Sequence, residues 1–463
     1  MAWVAEAGAW AERQFGSARL GDARRTRRLV GYAAKAAAAP SGSVPGQCGC
    51  WRGAKGAYRL FDNDAATFDA VTAPHLALAR AEAARQASRG RVVLHVSDTT
   101  TLSLRRPGTR GLGPVGAGGR GSGLPLHSTL ALDVGGGPDS PPEVLGLSHQ
   151  QLWSRGDGAR GGARPVPESA KWPAAVEAVG PAPGGVRYVH VGDAEADCWP
   201  LLSACGAAGV GHVTRACQDR LVSPGHGPTA GPTARLFELA RARPPLGGKV
   251  LWARARGNEE AGPLRLLVSA TPVTVHPPKN GKGPRPAPLA RWGVRVWEAH
   301  PPGGRTPVEW VLLTDHPVGD LESALLVAFW YTCRWLIEEY HKCLKSGCNV
   351  EARQLRDADR LAPLVGVLAV VAVRLLQLKH RARTNPDAPA RSVVPERHVQ
   401  TLAAKLALPE EMTARQFWRG TARLGGFLGR RGDGDPGWQT PWRGWQQLEL
   451  LTEGAELARR MRS

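Results

Sequence analysis

Two short β-branched runs, each halted by an aspartate, constrain this 463-residue chain more than any other feature. The first covers residues 91–97 (RVVLHVS) and stops at Asp98; the second covers 186–191 and stops at Gly192-Asp193. Runs of this length and composition read as buried strands. In open sheets the ligand site lies beyond the carboxyl ends of parallel strands, so both acids are expected at one site. Strand-end aspartates also serve as plain loop caps, and that alternative stands beside the first.

A third acid comes from helical material. Asp320 is a plausible N-cap and Gly347 a plausible stop, with Lys342 and Lys345 in the last turn. At about 100° per residue, Tyr331, Arg334, Glu338 and Lys345 fall at roughly 0°, −60°, −20° and −40°, one narrow stripe with Lys342 beside it. Glu339 sits about 100° away from Glu338. An acid among cations on one stripe is either an exposed, salt-bridged helix face or a site that holds a divalent metal and grips phosphate.

Charge favours the second class of partner. The formal net charge is +20 and the pI near 10.3, which costs self-repulsion in the compact state and points to a polyanion, nucleic acid before an anionic membrane. Fifty-seven glycines and 38 prolines reflect base composition more than low complexity. The eight cysteines form no C-x-x-C pair and read as reduced thiols. No basic region followed by an apolar core opens the chain, and the longest apolar stretch, 361–378, carries Pro363, Arg374 and Gln377, so it reads as a buried helix. The expected location is the cytoplasm, on nucleic acid and not in a membrane.

The expected layout has three parts. Residues 1–70 form a helical, DNA-binding module with basic residues Arg24, Arg25, Arg28, Lys55 and Arg59. Residues 71–380, which carry the three acids, form an α/β domain with a β-rich, helix-poor insertion at about 223–308. A polar linker follows, then a helical segment over 397–463.

The motif Tyr331-x2-Arg334-x3-Glu338-x6-Lys345 resembles the Y-R-E-K signature of the insertion-sequence-four family of DDE transposases, which includes the Tn-five transposase. Asp98-Thr99-Thr100 is similar to the family's first acidic motif, and Asp193-Ala194-Glu195-Ala196-Asp197 to its second, with alanine where arginine is usual. Glu168-Ser169-x-Lys171-Trp172, Gly56-Ala57-Tyr58-Arg59 and Arg423-Leu424-Gly425-Gly426-Phe427 extend the resemblance along the chain.

The resemblance implies an RNase-H-like core, a mixed sheet flanked by helices, that performs cut-and-paste transposition through a DNA hairpin. It implies that Asp98, Asp193 and Glu338 are catalytic and bind two Mg²⁺ ions, with Mn²⁺ able to substitute. Tyr331, Arg334, Lys345 and Arg215 would contact DNA, and Trp310 and Trp335 would lie near a flipped base. From the residues alone, core packing of a strand residue is the better account of Trp310. The C-terminal helices, with Trp442 and Trp445, resemble a segment that makes a homodimer on double-stranded DNA; a plain apolar helix face is the alternative. Two other functions stay open at this point: a DNA-binding repressor without cleavage, and a phosphohydrolase of small substrates.

Overall fold

The computed structural model describes the chain except residues 1–6, 87–90, 105–108, 156–166, 227–232, 254–261, 280–285, 302–306, 431–432, 437–438 and 463. Parts of the expected insertion therefore lie outside the described residues.

Five helices open the chain: α1 (Ala7–Phe15), α2 (Ala23–Ala38), α3 (Val44–Cys48), α4 (Trp51–Phe61) and α5 (Phe68–Arg85). Side-chain caps set several of their starts. Asp22 accepts the Arg24 N–H at α2, Ser43 that of Gly46 at α3, and Thr67 that of Ala70 at α5, each satisfying a backbone donor that the helix cannot.

The strands β1 (Val92–Ser103), β2 (Gly113–Val115), β3 (Gly121–Asp133), β4 (Glu143–Leu152), β5 (Arg187–Gly192), β6 (Gly211–Arg215), β7 (Leu221–Pro224), β8 (Ala234–Arg235), β9 (Gly247–Ala253), β10 (Gly262–Val275), β11 (Leu289–Glu298) and β12 (Glu309–Thr314) join in one mixed sheet. Its main path runs β2-β3-β1-β5-β6-β12-β11-β10-β7-β8, with β4 on β3 and β9 on β10. β1, β5 and β6 are parallel; β1 is antiparallel to β3, and β6 to β12. The described strands of the insertion therefore extend the main sheet through β12, and a short helix, α8 (Leu236–Ala242), covers them. Helices α6 (Lys171–Val179) and α7 (Trp199–Ala208) flank β5 in sequence.

Asp98 does not end its strand. β1 runs five residues beyond it, because residues up to Ser103 keep pairing with β3 as far as Gly123. The last registered pair between β1 and β5 is Val96 with Val191, so two residues further along each strand Asp98 and Asp193 stand level. Gly192 is required there: a Cβ on it would come within 2.3 Å of the Ala196 Cβ and 3.1 Å of the Trp172 ring. Across the same sheet His95, His190 and His212 form one buried row, in register on β1, β5 and β6.

The helical material after β12 is broken where a single helix was expected. α9 (Leu321–Thr332) starts in a capping box of Asp320 and Ser323, and α10 (Trp335–Lys342) follows a tightened junction. There the Arg334, Leu336 and Ile337 amides each bond three residues back. Cys343–Gly347 then widens into a π-turn closed by Cys348 N–H on the Cys343 carbonyl at 2.8 Å.

α11 (Ala358–Thr384) is long and apolar enough to span a membrane, but 89% of its most apolar window is buried within the fold. It packs against α2, α4, α5, β4, α10 and the π-turn, so the N-terminal helices and the sheet share one core. Helices α12 (Glu396–Leu406), α13 (Ala414–Leu424) and α14 (Gln439–Arg462) complete the chain, with Trp442, Trp445 and Leu448 buried.

Candidate functional site

Asp98 lies on β1 with its side chain mostly buried and accepts the Thr99 N–H at 2.7 Å. Burial pushes its carboxyl up to about 6; repulsion from Asp193 and Glu338 adds to this, while the Thr99 N–H and Arg334 oppose it. Asp193 follows β5 and caps the turn Ala194–Ala196 by accepting the Glu195 N–H at 2.9 Å. Its pKa is also raised, by burial and by the Glu195 carboxylate, against the pull of that N–H and of Arg334. Two carboxyls that both resist ionisation for want of solvent form a place where positive charge is welcome.

Arg334 supplies charge in the apo protein. Nη1 lies 3.6 Å from Oδ2 of Asp98, and Nη2 pairs with Oε1 of Glu338. The tightened junction places this guanidinium between strand and helix, so Asp98 and Glu338 share one cation. Glu339 turns the other way, buried and paired with Lys342 at 2.9 Å and with Lys379 of α11. Lys342, which spacing puts beside the stripe, pairs with Glu339.

The broken helix also moves Lys345. Its Nζ lies 3.7 Å from Glu351, which in turn accepts the Ser103 N–H at 2.8 Å, at the far end of β1. Uniform helical spacing puts Lys345 on the Glu338 stripe; Lys345 lies within the π-turn, where the angle per residue departs from that spacing. Tyr331 is buried, with Arg334 over its ring at 6.0 Å. Burial raises its pKa, opposed by Arg334 and by Arg215 at the end of β6, both in hydrogen-bonding reach. Trp310 of β12 meets Tyr331 edge to face at 5.2 Å and is half-buried against the core. Tyr331, Arg334, Arg215 and Trp310 thus come together beside Asp98. Trp335 is exposed and lies near His380 of α11, with no ring contact to Trp310 among the described residues.

Sequence reasoning missed what holds the Asp193 loop. Lys171, almost fully buried, donates to Glu195 at 2.9 Å and lies over the rings of Trp153 and Trp172. Asp197 is wholly buried, accepts the Cys217 N–H at 2.9 Å and pairs with Arg220. Of the acids in Asp193-Ala194-Glu195-Ala196-Asp197, the first faces the other carboxylates, the second ties back to Lys171, and the third staples β5 to the segment after β6.

The basic residues of the N-terminal helices also differ in role. Arg24 pairs with the capping Asp22 at 2.9 Å, and Arg25 donates to the Leu20 carbonyl at 2.9 Å. Arg28, Lys55 and Arg59 are exposed, with no ion pair among the described residues.

Hard oxygen donors suit Mg²⁺ or Mn²⁺, and Asp98, Asp193 and Glu338 offer only carboxylates. Among the described residues no group of three or more acids, histidines or cysteines is already arranged around a metal-sized position. The donor chemistry fits; Glu338 is turned to Arg334.

A family described as "Transposase DNA-binding" matches residues 7–66, and one described as "Transposase Tn5 dimerisation domain" matches residues 370–463. Among solved structures, a piggyBac transposase synaptic complex with hairpin DNA aligns at 10% identity and a TM-score of 0.33. That alignment covers 80% of this chain and 54% of the other, so this chain spans about half the length of that protein. All eight cysteines are free thiols. With a transposase DNA-binding model matching near one end and a Tn5 dimerisation-domain model at the other, the chain is similar to Tn5-like transposases in both regions.

Proposed function

We propose that this transposase cuts an insertion sequence out of double-stranded DNA and joins it into a target, as a homodimer on paired terminal inverted repeats, with Asp98, Asp193 and Glu338 as its catalytic acids. The observation that carries the reading is that Asp98 on β1 stands level with Asp193, just past the end of the adjacent parallel β5, with Glu338 drawn to the same guanidinium as Asp98. The strand order β4-β3-β1-β5-β6, antiparallel on one side of β1 and parallel on the other, supports an RNase-H-like core.

Asp98, Asp193 and Glu338 would hold two Mg²⁺ ions, which Mn²⁺ could replace. Bound there, they supply Lewis-acid stabilisation of charge on the attacked phosphate. The chain's own residues position the DNA. Arg334, released from the carboxylates, and Arg215 reach phosphate oxygens; Tyr331 fixes both guanidinium groups. Lys345 adds a phosphate contact near Ser103. Trp310 offers a ring face to a flipped base in a hairpin step, with Trp335 as a second aromatic surface. Such a protein works on the nucleoid in the cytoplasm.

The test is incubation with Mg²⁺ and linear DNA carrying the ends of its own element. End-specific cleavage is expected; Asp98→Ala, Asp193→Ala and Glu338→Gln should abolish it and leave end binding intact. Binding without cleavage by the wild type identifies a repressor. Full cleavage by any of the three variants sinks the site assignment.

A further inference from the structure

α4 presents a face with no acid on it. At about 100° per residue, Trp51, Lys55, Arg59 and Arg52 fall at roughly 0°, 40°, 80° and 100°. Ala54, Ala57, Leu60 and Phe61 occupy the opposite side and are buried. All four outward residues are exposed, and none of the three cations has an ion pair among the described residues. At one edge of this charge, at the start of the helix, stands an indole 72% exposed. The side chain contributes nothing to the core, and an unburied tryptophan leaves a large apolar area in water. It begins α4, just after a left-handed Gly49 and a capping Cys50, so it projects from the tip of a turn. Arg28 of α2 lies beside Gly56, about 3.6 Å from where a Cβ would stand, and so extends the same cationic surface.

We propose that Trp51 is an apolar DNA contact, packed on base and sugar edges in a groove, while Arg52, Lys55 and Arg59 hold the flanking phosphates. The charge of the face selects the partner. Three cations with no ion pair among the described residues and no acid repel other basic surfaces and attract a polyanion, and a duplex offers both regular phosphates and apolar base and sugar edges between them. Trp51 would then supply affinity that salt does not screen. The proposal rests on DNA being the partner of the N-terminal helices.

The test uses the full chain and a 30-bp duplex selected by the wild type from a random pool, with affinity followed as KCl rises from about 50 to 200 mM. Trp51→Ala should weaken binding roughly 10-fold at every salt concentration, leaving the slope of log K against log salt unchanged. Lys55→Ala and Arg59→Ala should each flatten that slope by about 0.9. Trp51→Phe should recover most of the loss, and the melting temperature of Trp51→Ala should match the wild type. Wild-type affinity for Trp51→Ala, or a lowered melting temperature, overturns the contact. If the cation variants change the slope and Trp51→Ala does nothing, the role of Trp51 fails while the DNA-facing surface stands. If none of the three variants alters binding, α4 does not face DNA and both fail.

Discussion

Nη1 of Arg334 lies 3.6 Å from Oδ2 of Asp98, bridging a helix junction and a strand. In the apo protein this guanidinium offsets part of the cost of a mostly buried carboxylate whose pKa already stands at about 6. Arg334→Ala removes a cation that lowers it. The Asp98 pKa should then rise further, and stability at pH 7 should fall by about 1–2 kcal/mol. At pH 5 Asp98 is largely protonated in both proteins, so the deficit should shrink. Urea unfolding at the two pH values decides this; an equal deficit at both shows that the pair does not matter for Asp98.

Lys171 tests the Asp193 loop. Its partner Glu195 is largely exposed, so Lys171→Met strands no buried charge and should cost little stability. It should lower cleavage roughly 10- to 100-fold by freeing the turn that presents Asp193. Glu195→Gln should act alike, and the double variant should be no worse than either alone. Additive losses would mean independent roles.

At Gly192 the constraint is steric. Gly192→Ala drives a Cβ to within 2.3 Å of the Ala196 Cβ, so the backbone leading to Asp193 has to shift. Stability should drop by about 1–3 kcal/mol and cleavage should be lost, with end binding by the N-terminal helices kept. Cleavage at the wild-type rate rules out a fixed strand end.

Trp310 packs edge to face on Tyr331, and a base would compete for the same ring. Trp310→Ala should slow hairpin formation by roughly 10-fold or more while the first nick stays near wild type. Gel-resolved time courses read both steps. Equal slowing of the two assigns Trp310 to packing alone.

Buried histidines set the acid limit of the fold. Burial lowers His75, His149 and His212 to about 4 and His190 and His341 to about 3, with His95 and His127 also far below their ordinary value. Below pH 6.5 the unfolded chain takes up protons that the folded chain refuses, so stability is lost as pH falls toward 4. Each histidine contributes about 1.4 kcal/mol per pH unit in that window. Asp98 and Asp193 have the opposite sign, losing stability as pH rises above 3.8, for Asp98 up to about 6, but they are two groups against several. Urea midpoints between pH 8 and 5 should fall steeply below 6.5; a flat profile contradicts the burial.

The sequence pattern located the acids better than it located their surroundings. Asp193 follows a strand end as its flanking residues predict, because Gly192 and the turn after it stop the pairing. Asp98 was expected at a strand end and sits inside one, since pairing with β3 depends on a partner that local periodicity does not see. The stripe of Tyr331, Arg334 and Glu338 survives a tightened junction because Arg334 reaches both acids. Lys345 lies in a π-turn, where the angle per residue differs, and no short-range signal marks that turn. Lys171 was visible only as part of a motif; its partner Glu195 is set by tertiary packing alone.

α11 imposes an order on biosynthesis. The helices that begin the chain bury their inner faces on a segment made some 300 residues later, and at about 5–20 residues per second that is a wait of roughly 15–60 s. Until then the nascent N-terminal unit leaves apolar surface bare, and α11 itself emerges as a stretch oily enough for a membrane or another unfinished chain to take. A ribosome pause or a stop codon just before residue 358 therefore yields a sticky protein, not a smaller version of this one.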